Sequence, residues 1–353
     1  MSVYNSQRHL RQAVESILHQ TWTAYEFLII NDGSTDNSRE IVTGFDDTRI
    51  RLVDNPANVG LTKSLNHGLE LARGELVARQ DADDISHPAR LEQQVRFLDT
   101  HPDVVLLGTQ ARIVDENGHP VASARGFARP TTNTAIKWCL LFGNAFVHTS
   151  VMFRRGAVWK QLEGYDERFT RSQDFELWSR VAATHQVQNL PDVLVDQRRH
   201  RDSIAARERE LHARLGEDTV SKNLNRFLRL DTVPSEWAAL INLLRTGRTV
   251  EEPDRLTELI DTVFSRFCTL HAGAAISEEI RPYLADQLGL VAYHSATRNR
   301  LASIRALIRA CRADPRIVRR GIAGEISILR YLALWLGGEL VRRLYRQGSS
   351  RRK

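Results

Sequence analysis

The sequence predicts an α/β fold followed by a helical second domain, and three observations carry that expectation. Short β-branched runs alternate with helical periodicities through residues 1–115. Three of those runs end in polar turns rich in Asn, Asp and Gly. After about Arg207 strand signals vanish, and Leu, Ala and Arg at helical spacing dominate to the end. With 353 residues, 42% of them hydrophobic, the chain can bury one large core or two moderate ones. Scattered Gly and Pro and an aromatic content of 7% argue against collagenous, disordered and aromatic-rich nucleic-acid-binding classes.

In chain order, Leu10, Ala13, Val14, Ile17 and Leu18 share one helical face, with Asn5 or Ser6 placed to cap that helix. Phe27–Ile30 is a buried-strand run that ends at Asn31-Asp32-Gly33-Ser34, where Asp36 serves as a helix cap. Ile50–Val53 follows, then the Asn58–Gly60 turn and a helix to Ala72. Leu76–Arg79 runs into Asp81-Ala82-Asp83-Asp84 and a helix opened by Pro88. Open α/β sheets bind ligands beyond the carboxyl ends of their strands, so these turns are where a nucleotide site is expected. Further strands are expected at Val104–Leu107 and Gln110–Val114, a hairpin turn at Glu116-Asn117-Gly118, and helices near Ile136–Leu141 and Phe175–Ala183. We place the domain boundary at 204/205, with linkers at Asp231–Pro234 and Glu251–Pro253.

Cys139, Cys268 and Cys311 are odd in number and widely spaced, which supports neither a disulfide framework nor a zinc site. No apolar core follows a basic start at the N-terminus, so no secretory signal is expected and the protein is placed in the cytoplasm. The formal charge of +6 is concentrated in residues 301–353, which hold 13 Lys and Arg against three acids. There Ile326, Leu329, Leu332, Leu336 and Leu340 fall near one helical face ahead of Arg342, Arg343, Arg346, Arg351, Arg352 and Lys353. The pattern predicts an amphipathic anchor on the cytoplasmic face of an anionic membrane, or else a helix packed on the second domain. No nucleic-acid recognition motif accompanies the charge, and none is expected as a partner.

Asp81 and Asp83 put two hard carboxylates on one tight turn, a donor set that suits Mg²⁺ or Mn²⁺ bridging to a diphosphate. Taken alone, the same residues read more readily as an acidic helix cap. Their surroundings change the reading. EFLIINDGSTDNS (26–38), NPANVGLTKSLNHGLELARGELVARQDADD (55–84) and RSQDFELWSR (171–180) stand in the order and spacing of family 2 glycosyltransferases of the bacterial cell-surface polysaccharide type. Over roughly residues 1–204 the chain resembles that family.

The resemblance implies a GT-A fold, a Rossmann-like mixed sheet that binds a nucleotide-diphospho-sugar, with a divalent metal and inversion at the anomeric carbon. It implies that Tyr4 lies against the donor base and that Asp32 accepts a base N–H, contacts that suit UDP or dTDP. On local sequence alone, Asp32 reads as an Asx turn and Tyr4 as a packing ring. Asp81 would hydrogen-bond the ribose or reach the metal through water, Asp83 would bind the metal directly, and Arg79 and Lys63 would neutralise nucleotide charge. Leu65 stands where many relatives carry an Arg, and Lys63 is the substitute. Asp174 matches the general base, although a first-turn Asp is also favoured by the helix dipole. Gln173 stands where many relatives have an additional acid. His200 matches a residue that contacts diphosphate or metal, and His148 is placed in the acceptor pocket.

The expected activity is inverting transfer to a hydroxyl of a glycan or lipid-linked acceptor. The alternative is a catalytically weak nucleotide-sugar binder or scaffold. A dinucleotide oxidoreductase is disfavoured because no Gly-x-Gly-x-x-Gly follows a strand. Family members usually enter Tyr-Asn through a full hydrophobic strand, whereas only Met1-Ser2-Val3 precedes Tyr4 here. We therefore expect the natural product to begin upstream with further apolar residues, and the chain as written to be less stable and less active.

Overall fold

The computed structural model describes residues 1–121, 129–199, 209–234, 237, 252–271, 274–295 and 300–317. His200, residues 326–353 and the expected boundary at 204/205 lie outside that set. The chain divides at Thr219/Val220 into two compact units.

The first unit opens as alternating strands and helices: β1 (Ser2–Val3), α1 (Leu10–Leu18), β2 (Phe27–Asn31), α2 (Ser38–Thr43), β3 (Ile50–Asp54) and α3 (Leu61–Leu71). The three strands form a parallel sheet in the order β1-β2-β3. Val3, Leu10, Val14, Ile17, Phe27 and Ile29 share one buried cluster beneath it, which is why the apolar face of α1 was legible. The expected cap on α1 is absent. His9 occupies the N-cap and makes no side-chain capping bond to the helix, and the Ser6 carbonyl accepts from His9 and Leu10 N–H at 3.2 and 3.1 Å. The Asn5 side chain is instead drawn to the turn after β2, where Thr35 N–H donates to it at 2.8 Å.

A second sheet follows, built from β4 (Leu76–Ala78), β5 (Ile85–Ser86), β6 (Val104–Val114), β7 (Met152–Arg154) and β8 (Gln186–Arg198) in the order β4-β7-β6-β8-β5. Helices α4 (Arg90–Thr100), α5 (Asn133–Leu140) and α6 (Gln173–Thr184) belong with it. The two strands expected at 104–107 and 110–114 are one strand, whose pairing with β8 shifts register around Gly108. A Cβ at Gly108 would lie 2.0 Å from Asn189 Oδ1, so glycine marks a close approach there. The Glu116–Gly118 turn is present, with Gly118 at φ +87° and Asp115 N–H donating to the His119 carbonyl at 2.9 Å.

The mixed sheet that the resemblance implies is present as two sheets, with β1 at an edge of the three-stranded one. In the second unit the described residues form helices over Pro253–Leu270, Ala274–Ser295 and Arg300–Ala313, around Leu256, Ile260, Val263, Phe267, Ile280 and Val291. Among the described residues no helix is long and apolar enough to cross a membrane, and the three cysteines are free.

Candidate active site

The turn after β2 is built around a buried carboxylate. Asp32, 1% exposed, accepts Asn55 Nδ2–H at 2.8 Å and the backbone N–H groups of Val59 and Gly60 at 3.0 Å each. These bonds fix the approach to α3; the local turn bond weighed for Asp32 is made instead by Asn31, whose Oδ1 accepts Ser34 N–H at 3.2 Å. Gly33 has φ +67°, and a Cβ there would fall 2.6 Å from the Ala57 carbonyl carbon; only glycine lets this turn close on that loop. Asn5 clasps the same turn through its N–H, which donates to Ser34 Oγ at 3.1 Å. It adopts φ +47°, a conformation Asn tolerates. Tyr4, beside that clasp, is 49% exposed and presents an uncovered ring. Asp36 accepts Ser38 N–H at 3.0 Å, as a helix cap does.

The turn after β4 is tied from three directions. From within, Gln80 Nε2–H donates to the Asp84 carbonyl at 2.8 Å, while its Oε1 accepts from Ser86 Oγ–H at 2.7 Å. From beneath, fully buried Arg90 donates to Gln80 Oε1 at 3.0 Å, Ser86 Oγ at 2.8 Å and the Arg79 carbonyl at 2.7 Å. Burial lowers the pKa of that guanidinium to about 9, with Arg79 adding repulsion. From the end of β8, Arg198 gives its backbone N–H to Asp84 Oδ1 at 2.7 Å and its Nε–H to the Asp83 carbonyl at 2.9 Å. Its other nitrogens reach the Glu116 carbonyl at 2.9 Å and Gln12 Oε1 at 3.0 Å.

Arg79 and Asp81 form an ion pair at 2.5 Å. Burial disfavours the charged form of Asp81, yet Arg79 and His148 hold its carboxyl below its ordinary pKa. Asp84 goes the other way: burial, then the charges of Asp83 and Asp81, push it well above the usual range. The charges of Asp81 and Asp83 thus work against that of Asp84. Hard carboxylate oxygens fit Mg²⁺ or Mn²⁺. Among the described residues no three His, Cys, Asp or Glu side chains form a complete ligand group.

Beside this turn stands the His148–Ser150 segment, whose Thr149 Oγ1 accepts Asp81 N–H at 3.0 Å. His148 Nε2 lies 2.9 Å from Tyr165 Oη. Both rings lean on Trp178 of α6, with centroids 6.1 and 6.0 Å away. Burial, and then Arg79, lower the His148 pKa to about 4 against the pull of Asp174 and Asp81, so the imidazole is neutral at pH 7. Tyr165 feels the same three charged groups, and burial raises its pKa. Asp174 is in the first turn of α6, two residues after the N-cap Ser172, which takes a left-handed φ of +55°. Its Oδ2 accepts Asn144 Nδ2–H at 2.7 Å. The Asn144 carbonyl in turn accepts from Arg129 at 2.9 Å.

The structure thus gathers Arg79, Asp81, His148 and Asp174 into one electrostatic neighbourhood, with Tyr4 and Asp32 on the adjoining turn. Lys63 stands elsewhere: it is exposed on α3 and lines a second, open cavity of about 440 Å³ with His67, Glu70 and Trp159. Leu65 is a core residue at 8% exposure. Sequence reasoning missed Asn144, Tyr165, Arg198 and Arg90. Arg90 had a signal, because it shares the buried face of α4 with Leu91, Gln94 and Leu98, where an Arg is out of place unless it serves a network.

A family model described as "Glycosyl transferase family 2" matches residues 1–162. The putative glycosyltransferase EpsE of Bacillus subtilis (strain 168) is 37% identical over 185 residues, 51% of this chain and 64% of EpsE. The amylovoran biosynthesis glycosyltransferase AmsE of Erwinia amylovora is 35% identical over 212 residues, 59% of this chain and 77% of AmsE. The match therefore spans just under two thirds of EpsE and more than three quarters of AmsE. Among solved structures, S. aureus TarS 1–349 in complex with UDP-GlcNAc superposes with a TM-score of 0.53 at 17% identity, covering 91% of this chain and 90% of that one. That likeness shows the fold, a mixed α/β architecture of the GT-A type with helices in its C-terminal region.

Proposed function

Since the chain belongs to the family 2 glycosyltransferases, we propose that it is an inverting enzyme that moves a sugar from a UDP- or dTDP-sugar to a hydroxyl of a glycan or lipid-linked acceptor. The observation that carries this reading is the Asn144–Asp174 bond of 2.7 Å, which fixes one oxygen of a carboxylate in the same field as His148 and Asp81. The other oxygen is the base. The acceptor hydroxyl loses its proton to Asp174 as its oxygen attacks the anomeric carbon. The bond to the diphosphate oxygen breaks on the opposite face, and the nucleoside diphosphate departs with the electron pair. One displacement without a sugar-enzyme intermediate inverts the centre.

In this reading the exposed Tyr4 ring packs on the base, and Asp32 accepts a base N–H with its remaining lone pair. Asp81 meets the ribose, and Arg79 offsets diphosphate charge. Asp83 would hold Mn²⁺ or Mg²⁺, with His200 as a further candidate ligand, and the ion would stabilise the developing negative charge on the leaving diphosphate. Neutral His148 contributes the acceptor-pocket wall and keeps Tyr165 in place. One sequence relative, named for amylovoran biosynthesis, favours a polysaccharide as acceptor. Residues 326–353 would hold the enzyme at an anionic cytoplasmic membrane surface.

The test is thermal shift with UDP-, dTDP- and GDP-sugars, with and without Mn²⁺, followed by transfer assays on variants. Binding raises the melting temperature by mass action, about 2.7 kcal/mol at 100 times Kd. Asp83→Asn should lose the Mn²⁺-dependent part of the shift. Asp174→Asn should keep the full shift and lose about 10² or more in turnover. No shift with any donor, or full turnover in Asp174→Asn, overturns the reading.

A further inference from the structure

Tyr165 is clamped by its backbone before its phenol meets His148. Asn66 of α3 donates from Nδ2 to the Tyr165 carbonyl at 2.8 Å and accepts the Tyr165 N–H through Oδ1 at 2.9 Å. Gly164, at φ +68°, lets that clamp close, because a Cβ there would fall 2.7 Å from Asn66 Oδ1. The tyrosine ring leans on Trp178 and stands edge-on to His148, with centroids 5.8 Å apart. Contacts from α3 and α6 thus hold the phenol oxygen 2.9 Å from His148 Nε2.

A single proton is shared out between Oη and Nε2, and burial decides its owner. Both groups are neutral at pH 7, since burial raises the phenol pKa and lowers that of the imidazole to about 4. A neutral imidazole carries its proton on one ring nitrogen and accepts at the other. Tyr165 is 3% exposed, and Nε2 is the hydrogen-bond partner of its oxygen among the described residues. If Nε2 carried the imidazole proton, it would donate to Oη and leave the phenol proton buried without an acceptor, at the full desolvation cost of that donor. With the phenol donating, the imidazole proton goes to Nδ1. His148 is only half-buried, and Nδ1 makes no hydrogen bond among the described residues. That N–H is left to a ligand, in the field of Arg79, Asp174 and Asp81.

We propose that Tyr165 is a positioning residue that locks His148 as its Nδ1–H tautomer, and that this N–H donates to a hydroxyl oxygen of the acceptor sugar. The ligand half of the proposal rests on the reading of Asp174 as the base. In the locked tautomer Nε2 is spent on the phenol proton and Nδ1 is already protonated. His148 therefore takes no proton from the acceptor, and Asp174 is left to do so. A hydroxyl beside the reacting one accepts from Nδ1, which turns the sugar so that the reacting hydroxyl faces the carboxylate.

The first test reads the tautomer and needs no substrate. In the full chain with isotope-labelled histidine, long-range proton–nitrogen correlation at pH 7 separates protonated from bare ring nitrogens. His148→Gln identifies the His148 signals among the 12 histidines. His148 should show a bare Nε2 and a protonated Nδ1, and Tyr165→Phe should convert that pattern to the other tautomer or to exchange between the two. A protonated Nε2 in the wild-type chain overturns the proposal, as does an unchanged pattern in Tyr165→Phe. The second test reads the ligand. The amide nitrogen of Asn overlies Nδ1 of His, whereas that of Gln overlies Nε2, so only His148→Asn keeps a donor in place. Acceptor KM should rise about tenfold in His148→Gln and by less in His148→Asn, with the effect absent from donor KM. Equal losses in the two variants, or a loss confined to donor KM, overturn the acceptor contact. A locked tautomer in a chain that transfers no sugar upholds the positioning role and overturns the assigned activity.

Discussion

At Asp174 a single side-chain amide decides how the carboxylate is presented. Asn144 fixes the carboxylate by donating to Oδ2 at 2.7 Å, and a hydrogen bond to a charged group is worth about 1.5–3 kcal/mol. Asn144→Ala should therefore leave donor affinity intact while lowering kcat about tenfold or more, as read from steady-state transfer assays. His148 yields a second prediction. Its folded pKa, about 4, lies below the unfolded value of about 6.5, so between those values the unfolded chain binds the extra proton. Its contribution to stability is whole above pH 6.5 and is lost as pH falls toward 4, by up to about 3 kcal/mol. Melting curves of the wild-type chain and His148→Gln should converge as pH is lowered through that window. At this scale the sequence was legible wherever a motif sits on one turn, as at Asp32 with Gly33. Asn144 and Tyr165 reach the site across the fold, and no local pattern marks them.

Among the elements, the segment from Gln80 to Ser86 is held by side chains from a helix beneath it and a strand beside it. Arg90 is its strut. Arg90→Met keeps the volume but takes the donor from the Arg79 carbonyl and one of two donors from Gln80 Oε1, along with the bond to Ser86 Oγ, which should cost about 3 kcal/mol or more. At about 2–4 °C per kcal/mol, the melting temperature should fall by roughly 6–12 °C. A fall below 2 °C would show that the network is dispensable. Strands β2 and β3 and helices α1, α3 and α6 were readable because each has its own apolar period. The three residues of β7 are too few to show one. Strand β8 was hidden by Pro191, which sits where pairing jumps from Gly108–Asn189 to Gln110–Val193, the kind of irregularity that admits proline in a strand.

Across the whole molecule, the α/β half and the helical half were both visible in the change of periodicity near Arg207, whereas the split into two sheets was not, because strand pairing is set by partners distant in sequence. Flotation with anionic liposomes examines the C-terminal residues at the same scale. Six basic residues at about 1 kcal/mol each should carry the full chain upward at low salt, and a chain ending before Ile326 should stay at the bottom. The pairing of β6 with β8 has a further consequence. Val114 lies opposite Arg198, so one strand is made long before its neighbour. At about 5–20 residues per second of synthesis, the interval is about 4–17 s. Throughout it the nascent chain carries an eleven-residue strand whose β8 edge is open, and the Asp83–Asp84 turn still lacks the arginine that ties it down. Nucleotide cannot rescue the chain in that interval, because the pocket that would hold it is unfinished. A ribosome-associated chaperone that covers strand edges has those seconds in which to act.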